Sequence, residues 1–277
     1  NEQGILPKII ENLMKERKIA INNKDELTSY AIKIHLNSMF GVLANPTYRF
    51  FNLDIANAIT TFGQFIIKLT AKKTEELDYK VIYSDTDSIF VLSGAEFVKG
   101  AEKIGMELQN KLTNFFKDYI GKNYKRESYL GLEFKKTYVR FLMPKIRHSE
   151  QGAKKRYAGL YLDSSCGEKL EFVGMEVIRG DWTDLAKKFQ YEIVNRIFHK
   201  EDILEFIKEF VKDVSAGKYD DLLVYKKSLR KGLMDYVSIT PQHVKAARKL
   251  QKLTSNLIEY VMTEDGPEPI QNKKSKI

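Results

Sequence analysis

Residues 83–88 read Tyr-Ser-Asp-Thr-Asp-Ser and lie between two apolar runs, Lys80-Val81-Ile82 and Ile89-Phe90-Val91-Leu92. Two carboxylates, Asp85 and Asp87, one residue apart at the tip of a strand pair can share a divalent cation. Hard oxygens of this kind suit Mg²⁺, which keeps its other positions for water and substrate phosphates. The same residues are good turn formers, so the pattern alone leaves an ordinary polar turn open.

A second constellation stands about 45 residues upstream, Lys33-Ile34-His35-Leu36-Asn37-Ser38-Met39-Phe40-Gly41. On a helix, Lys33, Asn37, Phe40 and Gly41 share one face. A cation, an amide, a flat ring and a position without a side chain suit a nucleotide, phosphates at one end and base at the other. Arg17, on the preceding helix, is placed to reach the same phosphates. The alternative is a solvated lysine and a core phenylalanine. A third segment reads Gly152-Ala153-Lys154-Lys155-Arg156-Tyr157. Between Arg140 and Leu160, six basic residues (Arg140, Lys145, Arg147, Lys154, Lys155, Arg156) stand against one acid, Glu150. Basic residues with an aromatic among them are a footprint for nucleic acid, with a solvated hairpin tip as the plain alternative.

The elements that must carry these groups follow from periodicity. Ile5, Ile9 and Leu13, flanked by Leu6, Ile10 and Met14, predict a helix from residue 5 to about 21. Asn22-Asn23-Lys24-Asp25 turns the chain into a second helix that reaches Gly41, giving an antiparallel helix pair. Asn45-Pro46 is a stop. A third helix, about 53–77, places Ile55, Ala58, Ile59, Phe62, Ile66 and Leu69 on one face. Lys80–Leu92 reads as a β-hairpin around the Asp85–Asp87 turn. A helix follows over about 95–119, with Val98, Ala101, Ile104, Leu108, Leu112 and Phe115 in register. Strands are expected at 132–143, 156–162 and 170–177. From Asp181 the pattern is helical again, broken at Thr240-Pro241. The fold class is α/β in the α+β sense: helix pair, mixed centre, helical end.

Composition narrows the function classes. The chain has 277 residues, a net charge of +9 and 43% hydrophobic residues. That supports a core and two or three modest subdomains, and the positive balance points to a polyanionic partner. One cysteine, Cys166, excludes an internal disulfide framework and fits a reducing compartment. No apolar run approaches the roughly 20 residues of a membrane span. Asn1-Glu2-Gln3-Gly4 leads into a helix without a signal peptide, and the absent initiator Met suggests a piece of a longer protein.

Taken in order, the three constellations resemble family B DNA polymerases. That family carries a Lys-x-x-x-Asn-Ser-x-Tyr-Gly helix, a Tyr-x-Asp-Thr-Asp-Ser hairpin and a Lys-Lys-Arg-Tyr strand. Phe141-Leu142-Met143-Pro144, Lys154–Leu160, Arg179-Gly180-Asp181-Trp182 and Gly266-Pro267-Glu268-Pro269 are most similar to the bacterial DNA polymerase II branch. The resemblance covers essentially the whole chain. It implies helical-hairpin fingers at 1–45, a palm with antiparallel sheet and packed helices at 46–178, and a mostly helical, incomplete thumb at 179–277.

The resemblance also implies roles. Asp87 and Asp85 would hold metal in a two-metal Mg²⁺ site for phosphoryl transfer to a primer 3′-hydroxyl, with Asp87 the more direct ligand. Lys33 would pair with the incoming triphosphate and protonate the leaving pyrophosphate. Arg17 and Asn37 would add phosphate contacts, while Phe40 packs on the nascent base pair and Gly41 permits close approach. Lys154, Lys155, Arg156 and Tyr157 would follow the primer–template duplex, and Thr240 and His243 would meet the primer backbone. Expected partners are primer–template DNA, deoxynucleoside triphosphates, the N-terminal half of the polymerase and a sliding clamp. The expected setting is replication and repair at a prokaryotic, cytoplasmic nucleoid, with no membrane.

Two departures stand out: Phe40 replaces the family's Tyr, and Ile21 falls where relatives often place a second phosphate-binding Lys. The family's upstream Asp-x-x-Ser-Leu-Tyr-Pro aspartate does not occur here, and the chain stops at Gln271–Ile277 where a thumb would continue. The chain is therefore expected to be a C-terminal-half fragment, inactive alone. The alternatives are a non-catalytic duplex-binding remnant or a subunit of a split polymerase. A Mg²⁺-dependent nuclease or phosphatase fits the carboxylates but leaves the Lys33–Gly41 helix without a purpose.

Overall fold

The structure is a computed structural model and describes residues 4–146, 148, 152–163, 167–237 and 240–270. Arg147, Glu150, Cys166 and the tail from Gln271 lie outside the described residues. The chain divides into two compact units. One comprises the described residues up to Gly94 together with Glu107–Leu132; the other comprises Ala95–Met106 and the described residues from Glu133 onward.

The first unit opens with α1 (Ile5–Asn22) and α2 (Glu26–Ala44). Leu6, Ile10, Leu13, Arg17 and Ala20 form one sheltered series on α1, with Glu11 beside it, and Ser29, Ile32, Leu36, Met39 and Leu43 form another on α2, with Val42 and Ala44 sheltered at its end. Both series alternate steps of three and four, the spacing by which two helices pack along a seam. The turn between them is built locally. Lys24 takes a left-handed backbone (φ 57), and the Asp25 carboxylate caps α2 by accepting the Thr28 N–H at 3.0 Å. Asn45, extended before Pro46 as that ring demands, ends α2. The Asn52 N–H then bonds back to the Leu43 carbonyl at 2.9 Å, and its side chain caps α3 (Leu53–Glu75).

Helix α3 carries the hairpin of β1 (Lys80–Asp85) and β2 (Ser88–Leu92), and touches α2 at its other end. Thr70 and Thr74 are buried on α3 and donate their hydroxyls to the carbonyls of Ile66 (2.8 Å) and Thr70 (2.9 Å), which satisfies them inside the helix. The apolar face expected on this helix is sheltered only at Ile66 and Leu69, and Ile55, Ala58, Ile59 and Phe62 are exposed. A groove of about 480 Å³ runs along it beside Asp54, Thr61, Phe65 and Tyr124. In α4 (Val98–Tyr124) the buried row is Leu108, Leu112 and Phe116. Phe116 takes the core position that the periodicity gave to Phe115, and Phe115 lies edge-on against it.

The second unit holds two three-stranded antiparallel sheets. The first orders β3 (Arg140–Leu142), β4 (Tyr157–Leu162) and β5 (Glu168–Val173). The strand expected over 132–143 shortens to three residues for a reason of register. Arg140 lies opposite Leu160, so residues before about 138 run past the end of β4 and have no ladder partner. Helix α5 (Asp184–His199), capped by Thr183, buries Val194 and Phe198 against Ala158, Leu160, Phe172 and Met175. Helix α6 (Ile203–Ser215) adds Phe206 and Phe210 to a ring cluster with Phe189 and Tyr219. The helical end also carries a sheet that periodicity did not reveal. β6 (Tyr225–Ser228), β7 (Leu257–Thr263) and β8 (Gly266–Pro269) pair in sequence. Helix α7 (Gln242–Arg248) packs Val244, Ala246 and Ala247 on Ile258 and Tyr260. β8 holds two prolines, Pro267 and Pro269, as an edge strand tolerates.

Candidate active site and duplex interface

The carboxylate hairpin is a two-residue connection with Asp85 opposite Ser88. Thr86 sits at its tip with φ 54, and the Asp87 N–H donates across it to the Asp85 carbonyl at 2.7 Å. A β-branched residue in this region is a backbone outlier, and such outliers concentrate where geometry must be held for function. The Thr86 hydroxyl donates to Asp85 Oδ1 at 3.1 Å, and Ser88 Oγ donates to the Asp85 carbonyl at 3.3 Å. Asp85 is half-buried and Asp87 exposed. Beneath them Tyr83 and Phe90 pack with centroids 5.4 Å apart. A bulge between Val81 and Tyr83 adds twist to the strand that aims the turn.

Among the described residues no cluster of three or more Asp, Glu, His or Cys forms a metal cage. Two carboxylates still fit Mg²⁺, which commonly takes one or two from protein and the rest from water and phosphates. Asp85 and Asp87 are the residues that would hold it.

On α2, Lys33, Asn37, Phe40 and Gly41 form a continuous exposed stripe, flanking the seam with α1. A side chain at Gly41 would meet nothing within 4 Å, so that end of the stripe is open. Counting out from the Lys24 turn puts Arg17 level with Ala31 and Ile32, next to Lys33, since both helices rise about 1.5 Å per residue. Arg17 lies in the seam, with its Nε buried and without a hydrogen-bond partner. Ile21, the departure noted above, is 56% exposed. The first unit thus brings Arg17, Lys33, Asn37, Phe40, Gly41, Asp85 and Asp87 onto one body, with α3 linking the stripe to the hairpin.

The second unit holds Lys154, Lys155, Arg156, Tyr157, Thr240 and His243. Lys154 and Lys155 are exposed in the turn before β4. Tyr157 lies against Phe141, with centroids 5.3 Å apart. Arg156 pairs with Glu176. Thr240 is half-buried. His243 is 6% exposed and edge-on to Tyr236; burial, with the Lys227 charge, pushes its pKa down.

Sequence reasoning missed three features. Lys226, Lys227, Arg230 and Lys231 place four cations in six residues on and after β6, a charge run that a count by segment finds. Glu176 and Gln190 are partners of Arg156, visible only in the fold. Tyr138 donates its hydroxyl to Glu171, and Lys136 Nζ lies 3.0 Å from the same carboxylate and 4.4 Å from the Tyr161 ring centroid. Burial and the Glu171 carboxylate both push the Tyr138 phenol far up, so it stays a donor.

The profile of DNA polymerase family B matches residues 1–274. DNA polymerase II of Escherichia coli (strain K12) is 38% identical over the whole chain, which corresponds to 36% of that protein. The DNA polymerase delta catalytic subunit of Caenorhabditis elegans is 30% identical over 90% of the chain and 24% of its own length. DNA polymerase 2 of Aeropyrum pernix is 30% identical over 86% of the chain and 27% of its own length. The chain therefore spans little more than a third of such relatives at most. With the motifs and their geometry in hand, the match across nearly every residue gives one conclusion: this chain belongs to DNA polymerase family B.

Proposed function

We propose that the chain is the nucleotide-handling and duplex-gripping portion of a DNA-directed DNA polymerase, with fingers at 1–45, palm at 46–178 and thumb at 179–277. The observation that carries this is the exposed Lys33–Asn37–Phe40–Gly41 stripe standing on the same unit as the Asp85–Thr86–Asp87 tip. Mg²⁺ bound at Asp87 and Asp85 would activate the primer hydroxyl and neutralise charge on the phosphates. Lys33, Asn37 and Arg17 hold the triphosphate, and Lys33 delivers a proton to the leaving pyrophosphate. Phe40 supplies a flat surface for the new base pair, and the absent side chain of Gly41 lets the nucleotide approach α2. Lys154, Lys155 and Tyr157, with Thr240 and His243 further on, follow the duplex.

Two protein carboxylates are a minimal set for two ions. A further carboxylate comes, in this reading, from the part of the relatives outside the matched segment, and the chain alone does not polymerise.

The test is a chimera in which residues 4–270 replace the matching segment of the Escherichia coli relative. It should extend a primer on a template, and Asp87→Ala should abolish extension while leaving duplex affinity within about twofold. Undiminished extension by the Asp87→Ala chimera would refute the metal assignment. Templated addition by the isolated chain would refute the dependence on a further segment.

A further inference from the structure

The turn that presents the basic segment is held by Gly174, Glu176 and Gln190, residues that no sequence motif marked. Lys155 has a left-handed backbone (φ 58). Its carbonyl lies so close to Gly174 that a Cβ there would come within 1.9 Å of it, and Gly174 is itself left-handed at φ +61. Position 174 therefore admits no side chain. The next residue, Arg156, sends its guanidinium to Glu176, whose side chain is 14% exposed. Gln190 of α5 donates to the other Glu176 oxygen at 2.5 Å, and its own carbonyl accepts the Val177 N–H at 2.9 Å. Burial opposes the charge on Glu176, but the bonds from Gln190 and Arg156 outweigh it and hold the carboxyl below its ordinary range.

Direction follows from the strand. Consecutive residues entering β4 point to opposite faces. Ala158 and Leu160 face α5, and Arg156 shares their parity and reaches the same side. Its Nε is buried without a partner, although the side chain as a whole is 39% exposed. Tyr157 shares the opposite face with Gly159 and Tyr161, alongside Phe141.

We infer that Arg156, Glu176 and Gln190 form a positioning latch, seated on Gly174, that fixes the Lys154–Lys155 turn and Tyr157 for the duplex. Arg156 itself meets no phosphate. The latch rests on the proposed duplex-binding reading and adds three positioning residues to it.

The experiment measures the Kd of the chain for a primer–template hairpin duplex across 50–200 mM salt, with folding checked by thermal melting. Each phosphate contact contributes about 0.9 to the slope of log K against log salt. Lys155→Met should lower the slope by about that amount. Glu176→Gln adds net positive charge, so electrostatics alone would tighten binding; the latch requires binding about three- to tenfold weaker with the slope retained. Arg156→Met should match that loss, and the double variant should cost no more than either single one. Arg156→Lys keeps the charge but not the fork, and should also weaken binding at constant slope; it still decides the matter should Glu176→Gln fail to fold. A slope lowered by about 0.9 in Arg156→Met, with Glu176→Gln or Arg156→Lys binding as tightly as the parent, would overturn the latch. Unchanged Kd and slope in both Lys155→Met and Tyr157→Ala would instead overturn the duplex-binding reading beneath it.

Discussion

Gly159 lies in the middle strand of its sheet, opposite Phe141 on one side and Glu171 on the other. A Cβ there would stand 2.2 Å from Tyr138 Cδ1 and 2.3 Å from Cε1, so Gly159→Ala requires the ring to retreat by about 1.3–1.8 Å to reach ordinary contact. The ring is not free to do so. Its hydroxyl is held by Glu171, it meets Tyr161 edge-on at 6.3 Å, and it lies 5.8 Å from Phe141. Overpacking of this kind costs about 1–3 kcal/mol. Alanine returns roughly 0.5–1 kcal/mol through its better strand preference, which leaves a net loss of up to about 2.5 kcal/mol, centred near 1 kcal/mol. If the ring swings far enough to break the bond to Glu171, about 1.5–3 kcal/mol more is lost. The assay is urea unfolding followed by fluorescence of Trp182, the single tryptophan of the chain and a member of the same unit. Gly159→Ala should lower the midpoint without changing the slope. In a Tyr138→Ala background the clash is gone, so the same substitution should be neutral or slightly stabilising. Equal losses in both backgrounds would refute the argument, because they would show that the ring is not what excludes a side chain at 159.

Two further outcomes follow from titrating groups. His243 has its pKa lowered by burial and by Lys227, so the unfolded chain binds its proton first as pH falls. Stability is then full above about pH 6.5 and declines below it, toward the folded value; His243→Gln should remove that part of the decline in melting temperature between pH 7.5 and 5. An identical pH profile in parent and variant would show that burial of His243 costs nothing on protonation. Asp181 accepts a fork from Arg179, at 2.9 and 2.6 Å, which holds its carboxyl at about 2. Its stabilisation is present above about pH 4 and lost as pH falls toward 2, and both partners are exposed enough that it is worth no more than about 1 kcal/mol. Arg179→Met should move the Asp181 carboxyl titration, read by ¹³C NMR, up toward about 3.9; an unmoved titration would remove the guanidinium as the cause.

Much of this molecule was legible because its signals are local. The Asp85–Asp87 turn, the Lys24–Asp25 break and the Asn45-Pro46 stop each depend on residues within a few positions, and all three form where spacing placed them. The strand at 132–143 was overcalled because its length is set by a partner, the end of β4, about 20 residues away. The β6–β7–β8 sheet was missed for a related reason. Its buried positions in β7, Ile258 and Tyr260, alternate over too few residues to stand out from the helical pattern before them.

The basic segment shows most clearly where sequence reading ends. Charge and spacing treat Lys154, Lys155 and Arg156 as three equal cations, and composition cannot rank them. The fold separates them through two residues with no motif of their own, Gly174 and Glu176. One leaves room for a left-handed Lys155, and the other pairs with Arg156. A lysine ammonium makes few demands on the geometry around it, whereas a guanidinium fork needs a fixed acceptor. On the latch reading, that asymmetry is why the arginine of the run pairs with an acid of the protein while both lysines are exposed.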